Sequence, residues 1–367
     1  MLWLPATGRC TLLLAAFHRL LACIDASHPQ ALEAEAQGDV MTRFLAAWLI
    51  AVLVIGTSPA RAAADSTIVA RHGRLQVAGN RIVDAHGQPI TLRGMSLFWS
   101  QWKPAFYNAR AIGWLATDWR VTAVRAAIAA AKGGYATEPA LETQRAEEAI
   151  DGAIRAGIYV VVDWHAHDPM PDQAVRFFTA IAKRYRGVPN LIYETWNEPL
   201  PRYGWADVIK PYHQRVIAAI RAQDPGAFVV AGTRAWDQDV DEAAADPLAL
   251  PNVAYALHFY SATHKQDIRS KADAALARGV ALFVTEYGTT AANGDAPIDV
   301  AETKIWWDWC DAHGISYLNW SLSDKAEASA ALNPGASSDG GWSAAELTTS
   351  GTLVRDHLLA EATASAR

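Results

Sequence analysis

Eight short apolar runs alternate with segments of helical period along the 367-residue chain. That alternation predicts an α/β fold with an all-parallel sheet, closed as a (β/α)8 TIM barrel. Length agrees, since one such barrel takes about 250 residues. The C-terminal ends of the runs agree too. They carry polar or aromatic residues, and a barrel of this kind gathers its chemistry there. A doubly wound open sheet is the competing arrangement, but no glycine-rich phosphate loop follows the first run.

The N-terminal part is expected to stand outside the fold. Met41-Thr42-Arg43 precedes an apolar run from Phe44 to Gly56 and then Ala60-Arg61-Ala62. A basic start, a short apolar core and an Ala-x-Ala exit make a secretory signal peptide, with export from the cell as its consequence, to the medium or the periplasm. The apolar run is short for a membrane span. Residues 1–64 are therefore read as a leader whose true start is Met41, the alternative being a genuine long leader or anchor. No stable membrane association is expected after processing.

Composition excludes several partners. The chain is 51% hydrophobic and 19% charged, with net charge −6, and no basic stripe speaks for nucleic acid. Cys10, Cys23 and Cys310 show neither a CxxC pair nor zinc spacing, so no metal, cofactor or disulfide framework is expected. A monomer is the expected state.

The barrel region is read as residues 65–360, with 361–367 as a frayed tail. Arg74-Leu75-Gln76-Val77 and Arg81-Ile82-Val83-Asp84 alternate around Gly79-Asn80, a small hairpin of the kind that plugs a barrel floor. The strand runs then begin at Ile90, Val121, Ile158, Asn190, Ala227, Val253, Ala281 and Ile315. Between them, Glu142 to Ala156 repeats apolar residues at helical spacing (Ala146, Ala149, Ile150, Ile154) and stops at Gly157, a C-cap residue. Gln173 to Tyr185, Tyr212 to Gln223, Asp267 to Arg278 and Val300 to Ala312 read the same way.

The fourth run carries the most information. Asn190-Leu191-Ile192 leads into Tyr193-Glu194-Thr195-Trp196-Asn197-Glu198-Pro199, and proline ends the strand. A carboxylate at the end of a buried strand is costly there. A helix cap or a structural ion pair would also explain it. The other strand ends weigh against that. They supply Arg93, His165, Asn197, His258, Tyr260, Glu286 and Trp320. Glu198 and Glu286, facing each other across a barrel mouth, suit glycoside hydrolysis, in which one carboxyl must hold a proton and the other must be ionised. Arg93 and Tyr260 are the expected partners of the ionised one. Glu194, inside the strand, reads as a structural carboxylate paired with Arg93, and Asp163 reads similarly.

These residues resemble family 5 glycoside hydrolases, in the branch of secreted bacterial endo-β-1,4-glucanases. The pieces are Leu92-Arg93-Gly94-Met95-Ser96, Val162-Asp163-Trp164-His165, Tyr193 to Pro199, Tyr255 to Tyr260, Val284 to Thr289, and Asn319 to Lys325. The resemblance implies Glu198 as general acid/base and Glu286 as nucleophile. It implies Asn197 on the sugar 2-hydroxyl, Arg93 and Tyr260 orienting Glu286, and His165 and His258 bonding substrate and the acid/base. Trp320 would stack under a sugar, Lys325 and Glu327 would contact hydroxyls further out, and Trp99 and Trp236 would be further platforms. The implied partner is a β-glucan. One departure stands out: the run Arg125-Ala126-Ala127-Ile128-Ala129-Ala130 brings no aromatic before Tyr135. Two rivals remain. His165-Ala166-His167 has spacing that also occurs in metal-dependent amidohydrolases. A non-catalytic sugar-binding barrel would keep the same cleft.

Overall fold

The computed structural model describes residues 67–295 and 297–365. The expected leader, its signal peptide and the start at Met41 lie outside the described residues. A short helix, α1 (Ile68–His72), precedes the hairpin β1 (Gln76–Ala78) and β2 (Arg81–Val83), which pairs antiparallel. Gly79 takes φ +60° in its turn, where a side chain would be strained.

The barrel strands are β3 (Arg93–Leu97), β4 (Ala123–Ala129), β5 (Tyr159–His165), β6 (Leu191–Glu194), β7 (Phe228–Ala231), β8 (Val253–Tyr260), β9 (Ala281–Gly288) and β10 (Ser316–Leu322). They close in sequence order, β10 returning beside β3. The α-helices of more than five residues that follow α1 are α2 (Ala109–Asp118), α3 (Pro139–Ala156), α4 (Pro171–Arg184), α5 (Lys210–Gln223), α6 (Val240–Ala245), α7 (Gln266–Ala277), α8 (Val300–His313) and α9 (Thr349–Ser365). The last continues past Ala360, beyond the point where the sequence predicts fraying. Among the described residues no helix is long and apolar enough to cross a membrane.

The helices bury the faces that their spacing predicts. On α4 these are Ala174, Phe177, Phe178 and Ile181. Each phenylalanine removed from water contributes about 1.5–3 kcal/mol. On α3 the stripe is Ala146, Ala149, Ile150 and Ala153, while Ile154 faces solvent. Gly157 ends α3 in the left-handed conformation, as expected of a C-cap.

Inside the barrel the side chains form layers. At the floor, Leu75 and Ile82 from the hairpin pack with Ile90, Leu92, Tyr159, Phe228 and Phe283. The hairpin therefore plugs the barrel as predicted. Near the mouth lies an aromatic layer of Phe98, Tyr260 and Trp320, with Trp99 packed against it.

Arg93 does not stand at the C-terminal strand end that the sequence predicts for it. It opens β3, level with Tyr317 at the start of β10. There its Nε donates to the Tyr317 hydroxyl at 2.7 Å and its Nη2 to Asp311 at 2.6 Å, with Glu361 at 3.1 Å. The physical reason lies in the residues before it. Ile90 and Leu92 belong to the floor cluster, so the ladder begins later and extends to Leu97. Arg93 therefore joins neither Glu194 nor Glu286.

Candidate active site

The place expected for Arg93 is taken by Arg125, in the middle of β4. Its strand, Ala-Val-Arg-Ala-Ala-Ile-Ala, is buried throughout. A charge there must be paired on every side, and it is. Nε donates to Glu194 at 2.7 Å, Nη1 to Glu286 at 2.8 Å and Nη2 to Asn197 Oδ1 at 2.6 Å, while Asp163 lies 3.0 Å from Nη2. One guanidinium thus ties β5, β6, β9 and the segment after β6 together, in the fork geometry that arginine presents. Glu194 and Asp163 are structural carboxylates, as predicted, but paired with Arg125.

Glu286 accepts from Arg125 on Oε2 and from the Tyr260 hydroxyl on Oε1, at 2.7 Å. Tyr260 reaches it because its ring lies against Gly288, where an added Cβ would stand 2.2 Å from the ring. Burial and the nearby charge of Glu198 push the Glu286 carboxyl up, against His258, Arg125 and Tyr260.

Glu198 follows β6 in a left-handed conformation, φ +53°. His258 Nδ1 lies 3.1 Å from Oε1, and His167 Nε2 lies 3.3 Å from Oε2. Burial opposes charge on Glu198, but the hydrogen bonds from the two imidazoles outweigh it and hold the carboxyl down, to about 2. On its other side His258 meets Thr285 Oγ1 at 2.9 Å, and that hydroxyl donates to Glu194 at 2.7 Å. Burial disfavours a charged His258, yet Asp237, Glu194, Glu198 and Glu286 together raise its pKa well above the ordinary value. Oxygens of Glu198 and Glu286 come within 4.8 Å of each other. That proximity is compatible with the retaining arrangement, in which the two carboxyl groups lie about 5–5.5 Å apart.

His165 is buried and bonds Asp163 through Nδ1 at 2.6 Å. Burial and Arg125 keep it neutral, its pKa well below the usual value. With Nδ1–H given to a carboxylate, Nε2 is left as an acceptor. Its ring stacks parallel to Trp320 at 5.4 Å and meets the edge of Trp99 at 4.0 Å. Asn197 accepts from Arg125 and leaves its Nδ2 donor without a protein partner.

A cavity of about 200 Å³ opens over this layer, bounded by Trp99, Trp102, Glu198, Glu286, Trp320 and the pair Lys325–Glu327. Lys325 lies over the Phe98 ring at 5.1 Å and bonds Glu327. Of the predicted residues, Glu198, Glu286, His165, Tyr260, Trp99, Trp320, Lys325 and Glu327 line this cavity, with Asn197 and His258 directly behind it. Trp236 is 42% exposed, on a turn outside that lining. Tyr135 is buried against Trp164 and Phe177, so it supplies no cleft aromatic.

Sequence reasoning missed Arg125, Trp102 and Asp237, and saw His167 only as a possible metal neighbour. A signal existed for Arg125, a lone charge inside an apolar strand. Trp102, 60% exposed beside Trp99, carried none. Nor did Asp237. Glu194, Asp237 and His258, and likewise Glu198, His258 and Glu286, bring ligand-type atoms together. Those atoms are already engaged by Arg125, Tyr260, Thr285 and main-chain donors, so neither group reads as a metal centre.

Three comparisons bear on this arrangement. A family model described as cellulase (glycosyl hydrolase family 5) matches residues 83–326. Endoglucanase A of Evansella cellulosilytica is 42% identical over 324 residues, a match covering 87% of this chain and 66% of that protein's length. Among solved structures, one from Cytophaga hutchinsonii is 48% identical with a TM-score of 0.80, covering 81% of this chain and 97% of the other. A variant of the Thermobifida fusca endoglucanase Cel5A catalytic domain, in complex with cellotetraose, is 35% identical with a TM-score of 0.77, covering 80% and 100%.

Proposed function

The chain belongs to glycosyl hydrolase family 5, a family of retaining enzymes, and on that premise we propose that it hydrolyses internal β-1,4-glucosidic bonds of soluble or amorphous β-glucan. The observation that carries this reading is the pair Glu198 and Glu286, close together at the barrel mouth yet held by different partners, two imidazoles on Glu198 and a guanidinium with a phenol on Glu286.

Glu286 is the nucleophile and Glu198 the acid/base. In the first step Glu286 attacks the anomeric carbon while Glu198 gives its proton to the departing glycosidic oxygen. In the second, Glu198 takes a proton from water, whose oxygen displaces Glu286 from the sugar. The free site holds the protons differently: the imidazoles keep Glu198 ionised, and that charge helps push Glu286 up. One proton transfer arms Glu198, and Glu286 gives its own proton to water in the cavity it lines. The His258 Nδ1 proton lies a single 3.1 Å hydrogen bond from Glu198 Oε1. Moving it there makes Glu198 the acid and takes away together the Glu198 charge that raises Glu286 and the His258 charge that lowers it. Arg125 and Tyr260 then hold Glu286 as the carboxylate.

The unpaired Asn197 amide supports binding of the sugar 2-hydroxyl, and the His165 Nε2 acceptor supports a second hydroxyl contact. Trp320 and Trp99 offer ring faces and edges to pyranose C–H groups, with Lys325 and Glu327 further along the cleft. The bound tetrasaccharide of the Thermobifida relative supports a chain of several glucose units as the ligand. Export follows from the signal peptide read at Met41, and the enzyme acts as a monomer.

Substrate choice is tested by assaying carboxymethyl cellulose, barley β-glucan and mannan side by side. Faster turnover of mannan than of either glucan would replace the reading with a mannanase. In the same assays Glu286→Ala binds cello-oligosaccharide but loses at least about a thousandfold in kcat. Full activity in that variant would overturn the assignment of roles.

A further inference from the structure

Two stretches of main chain at the mouth adopt a conformation that side chains disfavour. One is Glu198, at φ +53°. The other is Ala235, Trp236 and Asp237, three consecutive residues at φ +57°, +59° and +60°. None is glycine, so each is held against its own preference. The two stretches are buttoned to each other. Trp236 N–H donates to the Pro199 carbonyl at 3.1 Å, and Glu198 N–H donates to Asp237 Oδ2 at 2.9 Å.

Asp237 is fully buried. Its Oδ1 accepts from the Thr233 N–H, which closes the turn. Its Oδ2 lies 3.5 Å from His258 Nδ1, the atom that also faces Glu198 Oε1 at 3.1 Å. One oxygen thus meets both the main chain of Glu198 and the histidine of Glu198. A turn staple alone would need only the Thr233 contact.

We infer that Asp237 is a positioning residue for the acid/base, fixing the left-handed main chain of Glu198 and sharing its histidine. The inference rests on the reading of Glu198 as acid/base. Burial, with the charges of Glu194 and Glu198, pushes the Asp237 carboxyl up to about 8 against the pull of His258.

A residue acting through Glu198 affects only the steps that need Glu198. These are bond cleavage with a poor leaving group and attack by water on the glycosyl-enzyme. It spares formation of the glycosyl-enzyme from a dinitrophenyl β-cellobioside, whose leaving group needs no proton. Asp237→Ala is therefore expected to lower kcat on β-glucan by roughly 10- to 100-fold with KM little changed. The burst of dinitrophenolate should keep its rate within about threefold of the parent. Steady-state turnover of the aryl substrate should fall and recover on adding azide, which attacks the anomeric carbon without a base and frees Glu286. Asp237→Ser, which keeps one oxygen for the Glu198 N–H, should lie between the parent and the alanine variant. The burst amplitude counts intact sites, so partial misfolding does not mimic the effect.

An equal fall in β-glucan kcat and in the dinitrophenolate burst rate, or a fall in neither, overturns the role of Asp237. Glu198→Ala is the control. If it slows the dinitrophenolate burst as much as it slows β-glucan turnover, the acid/base reading falls. If it discriminates between them and Asp237→Ala does not, only the inference about Asp237 falls.

Discussion

Two arginines on neighbouring strands, Arg125 in β4 and Arg93 in β3, each gather carboxylates, and they do different work. Arg125 has no exposed surface and meets Asp163, Glu194 and Glu286. Arg93 sits at the floor, its side chain 18% exposed, and meets Asp311 and Glu361. At the floor the acids come from α8 and α9 and the salt link stitches helices to the barrel. At the mouth three acids crowd one cation, and one of them, Glu286, also borders an open cavity. What separates a structural cluster from a reactive one is therefore not the presence of charge. It is the excess of carboxylate over cation in a dry layer beside a space for substrate.

Removing the mouth arginine sharpens that contrast most. Arg125→Met leaves three buried acids without their cation, and breaking a buried pair in this way costs about 3–5 kcal/mol. Glu286 also loses a donor and an opposite charge, so its pKa rises further and the ionised form of the proposed nucleophile becomes scarce. The expected loss in kcat is at least about 100-fold. Arg125→Lys should recover little, because one ammonium cannot reach Glu194, Glu286 and Asn197 in three directions. Urea unfolding and β-glucan turnover check both effects. A stable, fully active methionine variant would erase the distinction between the two clusters.

The contrast also marks what the sequence made legible. Eight runs, their alternation with helices and the plugging hairpin all follow from periodicity, which reports burial directly. Glu198, Glu286, His258, Tyr260 and Trp320 were legible because each lies near or just past the end of a strand that periodicity locates. Arg93 was misplaced by the same logic. The apolar residues before it continue the strand pattern but pack below the ladder, and periodicity does not tell a strand from its apolar lead-in. Arg125 broke the apolar pattern in mid-strand, a signal that needs the question of what could pair a buried charge. Trp102 and Asp237 lie outside the strands, and their places depend on turns that no periodicity describes.

The floor should reveal itself through pH. His357, on α9, stacks on Trp307 at 3.7 Å, and its Nε2 lies 2.8 Å from the hydroxyl of Tyr317, the partner of Arg93. Burial holds its pKa down, to about 4, from an ordinary 6.5. Above pH 6.5 neither the folded nor the unfolded chain carries this proton, and the full stability is present. As pH falls from 6.5 toward 4, the unfolded chain binds a proton that the folded one refuses, and up to about 3 kcal/mol is lost. His213, behind the mouth, is held to about 4 as well and contributes over the same window. The informative quantity is thus the parent's stability change between pH 7 and 4.5 minus that of His357→Gln. A smaller pH dependence in the variant, with kcat at pH 7 unaltered, is the expected outcome. An unchanged pH dependence would detach His357 from the floor's stability.

Arg93 gives the smallest effect and the most direct test of position. Its links to Asp311 and Glu361 are partly open to solvent, so their loss falls between a surface pair and a buried one, about 1–2 kcal/mol. Arg93→Ala should therefore lower the urea midpoint. It should leave kcat, KM and the pH profile on β-glucan where they were, because no atom of Arg93 touches Glu286, Glu198 or the cavity. Asp311→Asn should produce a similar loss, and the double variant should lose less than the sum, since the two share one contact. The opposite pattern, unchanged stability with a large fall in kcat, would return Arg93 to the substrate end of its strand and undo the comparison between floor and mouth.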